Sequence, residues 1–164
     1  MTKYFAVILV MVFLAACGGG GESSGSGENE TAAKTETKAT GELVKVVVNS
    51  DDQMKFDTDE IKVPAGSKVE LTLNHTGSFP KESMGHNLVI LSQGVDLNDY
   101  AQRAMSESAS NYVIEGDEII AATIIIGGGE STTITFDAPA AGTYQFVCTF
   151  PGHFFAMQGN FIVE

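Results

Sequence analysis

The chain has 164 residues, of which 43% are hydrophobic and 18% charged, and its formal net charge is -12. That length and composition suit one globular domain plus some non-globular sequence. So acidic a chain repels phosphate backbones, which excludes nucleic acid as a partner and steers it toward a basic face instead.

The N-terminus, "MTKYFAVILVMVFLAAC", reads as an export signal: one Lys precedes an apolar run from Tyr4 to Ala16. The run is shorter than the ~20 residues a membrane-spanning helix needs. It closes on Leu14-Ala15-Ala16-Cys17, which resembles the bacterial lipoprotein box. That resemblance implies cleavage after residue 16 and lipid on Cys17, so that the membrane is met through a lipid anchor only. An exported domain, held in the periplasm or at the cell surface, is the expectation. Residues 17–42, rich in Gly, Ser and Glu, offer almost nothing apolar to bury and read as a solvated tether.

Strand signals fill the remainder, residues 43–164. "ELVKVVVN" is β-branched, and "DQMKFDTDEIKVP" alternates until Pro64-Ala65-Gly66. "KVELTLNH" has period two and places Val69, Leu71 and Leu73 on one face. "NLVIL", "EIIAATIII", "STTITFD", "TYQFVC" and "GNFIVE" bring the set to about eight. One segment departs from this pattern. In "DLNDYAQRAMSESA", Leu97, Tyr100, Ala101, Ala104 and Met105 follow i, i+3, i+4 spacing behind an Asp96 cap. The fold expected is therefore all-β, a Greek-key β-sandwich with one short helical insertion near residues 96–108.

The chemistry lies in "CTFPGHFFAM", Cys148–Met157. If Cys17 carries lipid, Cys148 has no disulfide partner, and a free thiol in an oxidising compartment is a liability unless something occupies it. An inert core cysteine is the plainer alternative. Pro151-Gly152 suits a tight turn that folds His153 back beside the thiol, and Met157 follows about one helical turn later. A second imidazole is available from His86 in "SMGHNL". Gly85 lacks a Cβ, so its carbonyl can come close to a metal, and Asn87 can pin the two loops together. Two imidazoles, a thiolate and a thioether are the set associated with blue-copper sites.

At these residues the chain resembles the azurins, cupredoxins of bacterial electron transfer, over about 120 residues from near Val44 to the end. "DQMKFDT", "HTGSFPKESMGHNLV", "IGGGE" and "CTFPGHFFAMQG" carry the resemblance. It implies one type 1 copper, cycling between Cu(I) and Cu(II), held by His86, Cys148 and His153. Met157 would be the weak axial ligand and the Gly85 carbonyl a distant contact. It also implies that Asn87 and the Phe150 amide hydrogen-bond the cysteine sulfur. Electrons would pass through the ring of His153, amid a docking patch of Met54, Phe79, Met84, Phe150, Pro151 and Ala156, with Phe154 or Met105 as further candidates. Partners would be redox proteins such as a c-type cytochrome or a terminal reductase or oxidase, met by a monomer or weak oligomer.

The chain also departs from the azurin pattern. Val44 and Gly66 stand where the family has a disulfide, Leu88 replaces a buried Trp, and Phe154 and Phe155 replace small residues beside the ligands, with a bulkier surface expected there. His75 matches a family histidine near the site and reads equally as a structural residue or as a proton site linked to redox state. Against an enzyme stands the histidine count: three in all, too few for the extra copper sites of copper reductases and oxidases. A copper store or chaperone is the alternative from a binding class, and exposed Cys or Met clusters would favour it. A Cys-His-His zinc site is a third reading, which the thioether disfavours.

Overall fold

The computed structural model describes residues 41–164; the signal, Cys17 and nearly all of the tether lie outside them. Eight strands form: β1 Leu43–Ser50, β2 Glu60–Val63, β3 Lys68–His75, β4 Val89–Leu91, β5 Ile119–Ala122, β6 Ser131–Asp137, β7 Gly142–Val147 and β8 Gln158–Val163. They build two sheets, β1-β3-β6 and β2-β8-β7-β4-β5. Pairing is antiparallel except for β1 with β3 and β2 with β8, which run parallel. Only β4–β5 and β7–β8 are sequence neighbours within one sheet; every other connection crosses between sheets.

Register explains the core. Val44, Val46 and Val48 pair with Val69, Leu71 and Leu73, so the period-two faces of β1 and β3 point inward together. Opposite them stand Leu88, Ile90, Phe146 and Phe161, fully buried and in the same cluster. Burial of such side chains contributes roughly 1.5–3 kcal/mol each before conformational entropy is set against it. Leu88 fills the centre of this core without a polar atom to satisfy.

The helical insertion is present as α2, Leu97–Ala104, with Asp96 Oδ1 accepting from Asp99 N at 2.8 Å as its cap. Its buried face of Leu97, Tyr100, Ala101 and Ala104 joins Val89, Leu91, Val147 and Phe154 in a second cluster. A preceding single turn, α1 Lys81–Met84, has no apolar periodicity to announce it; its amides at Ser83 and Met84 both donate to the Pro80 carbonyl.

One alternating stretch is mostly not strand. Within "DQMKFDTDEIKVP" only Glu60–Val63 joins a sheet, apart from an isolated bridge between Ser50 and Phe56. Asp51 Oδ1 accepts from the amides of Gln53 and Lys55 at 2.8 and 3.2 Å, and Met54 takes φ 57°. A local side-chain bond of this kind offers the backbone a turn in place of the ladder.

Candidate metal centre

Two loops bring the donors together at one end of the sandwich. The β7–β8 loop begins as the strand delivers Cys148, whose N–H donates to the Met157 carbonyl at 2.9 Å and so closes the loop on itself. Inside it, Pro151 and Gly152 form the expected tight turn: Gly152 has φ 83° and His153 N donates to Phe150 O at 3.0 Å. A 3-10 turn over His153–Phe155 follows, in which Ala156 N and Met157 N both donate to the His153 carbonyl. The β3–β4 loop supplies His86, paired through its backbone with Ile126.

The donor atoms converge. Cys148 Sγ lies 3.9 Å from His86 Nδ1 and 3.8 Å from His153 Nδ1, and the two Nδ1 atoms are 3.2 Å apart. Metal bonds of ~2.0–2.3 Å would set the ligand atoms of a trigonal site ~3.5–3.8 Å from one another, close to the separations seen. Among the described residues this is the one cluster of three or more His, Cys, Asp or Glu placed to hold a metal. His86, Cys148 and Met157 are fully buried, and His153 is 4% exposed.

Protonation suits ligation. His86 Nε2 lies 2.9 Å from the Asp51 carbonyl, which can only accept, so Nε2 carries the proton and Nδ1 presents a lone pair. Burial lowers the pKa of His86. Burial first, then the neighbouring His86 and His75, lowers that of His153 to about 4. Both rings are therefore neutral at pH 7. Burial pushes the Cys148 thiol up to about 12, against the pull of the Asn87 and Phe150 amides that donate to it. A metal entering the site displaces that thiol proton. Soft sulfur with two imidazoles fits copper, and a copper ion held by two neutral nitrogen donors and one thiolate would leave a low net charge in a dry interior.

Bonds around the donors hold the loops in register. Asn87 Oδ1 accepts from Thr149 N at 2.8 Å, while its Nδ2 donates to Thr149 Oγ1 at 2.8 Å and to the Asn111 carbonyl at 2.9 Å. Gly85 is needed for space: a Cβ there would sit 2.5 Å from the Lys81 carbonyl oxygen and 3.1 Å from the Phe150 ring. His75 is not in the donor cluster. Its Nδ1 accepts from Gly77 N, its Nε2 donates to the Met84 carbonyl at 2.9 Å, and its ring packs 4.5 Å from that of His86.

The apolar residues expected near the site divide by exposure. Met54, Phe79, Pro151 and Ala156 are exposed, and Met84, Met105 and Phe150 are half-buried. Phe155 is 74% exposed, but Phe154 is 2% exposed and packs in the core beside α2. Only one of the two phenylalanines therefore enlarges the surface: the Phe155 ring lies over that of Phe154, with centroids 4.0 Å apart, and covers it. Sequence reasoning missed Asp51, Thr149 and the Asn111–Tyr112 turn. Only Asp51 left a signal, an Asp two residues ahead of a polar turn.

A β-sandwich that carries His86, Cys148, His153 and Met157 on two end loops has the type 1 copper site of a cupredoxin. The family model for copper binding proteins of the plastocyanin/azurin family matches residues 42–164. An azurin of Pseudomonas fluorescens biotype A is 47% identical over 128 residues, covering 73% of this chain and 98% of that one. Outer membrane protein H.8 of Neisseria gonorrhoeae is 42% identical over 117 residues, covering 69% of this chain and 63% of its own. Among solved structures, the azurin Az-iso2 of Methylomonas sp. strain J aligns with a TM-score of 0.67 at 36% identity, over 73% of this chain and 97% of that one. Auracyanin A of Chloroflexus aurantiacus, a blue copper protein, aligns with a TM-score of 0.68 at 31% identity, over 74% and 99%. The chain belongs to the plastocyanin/azurin family of copper-binding proteins.

Proposed function

We propose that this protein is an electron carrier rather than an enzyme, exchanging single electrons with redox proteins at the outer face of a bacterial membrane. The observation that carries the reading is the difference in burial among the ligands. His86, Cys148 and Met157 are sealed from solvent, and His153 alone reaches it. One ligand edge open to a partner, with the rest dry, is what outer-sphere exchange requires and what a substrate-binding site would not have.

Bound there, copper supplies a one-electron Cu(I)/Cu(II) couple. The chain's own residues do the rest. Cys148 and the two imidazoles hold positions set by the strands and by the Asn87–Thr149 bonds, so little has to move between redox states. The amides of Asn87 and Phe150 donate to Sγ, which draws charge from the thiolate and raises the potential. Met157 would supply a weak thioether donor, and Gly85 its carbonyl oxygen. Met54, Phe79, Met84, Pro151 and Ala156 form the apolar patch around His153; small, transient interfaces of that kind suit electron-transfer partners.

The membrane location rests on the Leu14-Ala15-Ala16-Cys17 box, with Cys17 lipidated and residues 18–42 as tether. It gains support from a relative whose name is that of an outer membrane protein. A c-type cytochrome is the partner class that a net charge of -12 suits, through a basic rim around its redox edge.

The test is a visible spectrum of the full chain loaded with Cu(II), then reduced and reoxidised in the presence of a c-type cytochrome. The expected result is an intense thiolate-to-copper band that bleaches and returns, with electrons delivered to the cytochrome. A band that persists while the cytochrome stays untouched, with rapid release of copper to a chelator, would favour a store or chaperone.

A further inference from the structure

The ring of Tyr112 stands outside the ligand set and outside every role assigned above, yet it ends a continuous line of rings that runs to the metal ligands. Tyr112 meets Phe150 edge-on, with centroids 5.4 Å apart and planes at 73°. Phe150 packs 4.7 Å from His153, and His153 4.9 Å from His86. On another side the Phe150 ring lies where a Cβ on Gly85 would touch it. Phe150 is thus clamped between the loop of one imidazole, the ring of the other and Tyr112.

The backbone beneath Tyr112 is built with care. Asn111 and Tyr112 have φ 59° and 58°, and for an aromatic residue the left-handed region is an outlier. Bonds from the ligand-bearing segments hold it there. Asn87 Nδ2 donates to the Asn111 carbonyl at 2.9 Å and Thr149 Oγ1 to the Tyr112 carbonyl at 2.6 Å. Tyr112 N donates to Glu107 O at 2.8 Å, and Asn111 Oδ1 accepts from Ile125 N at 3.2 Å. Asn87 follows His86, and Thr149 follows Cys148. The turn is therefore tied to the residue next to each of two ligands, and its side chain returns to press on the neighbour of the third. Strained backbone kept by such bonds is expected where a side chain's placement matters.

We infer that Tyr112 is a positioning residue for the copper site: through the Phe150 ring it fixes the orientation of His153 and the run of the Phe150 amide that donates to the cysteine sulfur. This rests on the copper reading above.

The test compares the full-length wild type with Tyr112→Phe, Tyr112→Leu and Tyr112→Met, each loaded with Cu(II). Tyr112→Phe keeps the edge contact and should keep the wild-type thiolate-to-copper band and copper hyperfine splitting. Tyr112→Leu should shift both, and should lose copper to a chelator on the order of 10-fold faster, the low end of what outer-shell changes do to metal affinity. Tyr112→Met, with a flexible side chain of similar bulk, should show the same shifts and carries the comparison if the Leu variant does not fold. If Leu and Met variants lower the melting temperature but leave the band, the splitting and the release rate at wild-type values, Tyr112 is packing alone and the inference falls. A wild type with no thiolate-to-copper band would instead overturn the copper reading itself, and this inference with it.

Discussion

The side chain of Asn87 and the backbone of Thr149 are joined at 2.8 Å through Oδ1 and the Thr149 N–H, each immediately after a metal ligand. The same Asn87 amide group donates to Thr149 Oγ1 and to the Asn111 carbonyl. One side chain therefore holds three chain segments around the site, and both Asn87 and Thr149 are fully buried.

Asn87→Ala is expected to destabilise the copper-free protein by about 3 kcal/mol, because the Thr149 N–H is left buried without an acceptor in addition to two lost bonds. Chemical denaturation would show a lower midpoint with an unchanged slope. A loss below about 1 kcal/mol would mean that water or a loop shift replaces the amide.

Met157→Leu should leave the thiolate band in place and raise the reduction potential. A thioether donor stabilises Cu(II) more than leucine can, so its removal favours Cu(I). The expected rise is on the order of 60 mV, the one-electron equivalent of a tenfold change in relative affinity. Voltammetry of the two proteins under one set of conditions measures it, and a fall in potential would show that Met157 is not a donor.

Gly85→Ala tests the space between the loops. Its φ of -71° suits any residue, so strain is not the issue; the new methyl would meet the Lys81 carbonyl and the Phe150 ring. Overpacking of this kind costs typically 1–3 kcal/mol, and here the displaced ring is the one resting on His153. The variant should melt lower and show a changed copper hyperfine splitting. An unchanged spectrum would mean that Lys81 and the α1 turn yield instead.

Part of the pH dependence of the copper-free protein follows from two of the ligands, with His86, also lowered, adding in the same direction as His153. His153 is held at about 4 against an ordinary 6.5. Between those values the unfolded chain binds more protons, so stability falls as pH drops from 6.5 toward 4. Cys148 is raised to about 12 from 9.0. There the unfolded chain ionises first, so stability falls as pH climbs from 9.0 toward 12. The contribution of these two groups is therefore greatest between pH 6.5 and 9.0. Denaturation midpoints across pH should show the alkaline fall in the wild type and lack that component in Cys148→Ala.

Metal uptake is linked to the same groups. With neutral imidazoles and a protonated thiol at pH 7, loading should release one proton per copper, all of it from Cys148. Calorimetry in buffers of different ionisation enthalpy counts it. Release of two or more would mean that a histidine is charged in the copper-free state.

Much of this was legible from residue patterns alone. β3 and β6 coincide with their alternating stretches, and the Pro151-Gly152 turn follows from a proline whose φ is fixed and a glycine that accepts positive φ. The ligand quartet was legible because Cys and His are few in this chain and Cys148, His153 and Met157 are closely spaced, with His86 the remaining histidine beside a glycine. What escaped notice depended on contacts distant in sequence. No local pattern tells that the Asp51 carbonyl will orient His86, that Thr149 will bond to Tyr112, or that Phe154 will turn inward while Phe155 turns out. The run around Met54 alternates like a strand, but Asp51 bends it away from the ladder.

Three of the four donors, Cys148, His153 and Met157, come from one ten-residue stretch whose ends are fastened together by the Cys148 N–H and the Met157 carbonyl. The domain beneath meets that stretch where β7 ends and β8 begins, and within it through Phe154, which packs beside α2, and Thr149, which bonds to Asn87. Such a segment behaves as a cassette: its exposed positions, Phe155 and Ala156 among them, can be exchanged without renegotiating the sheets. Selection can thus retune redox poise and partner preference here while the scaffold, and the lone histidine contributed from elsewhere, stay as they are.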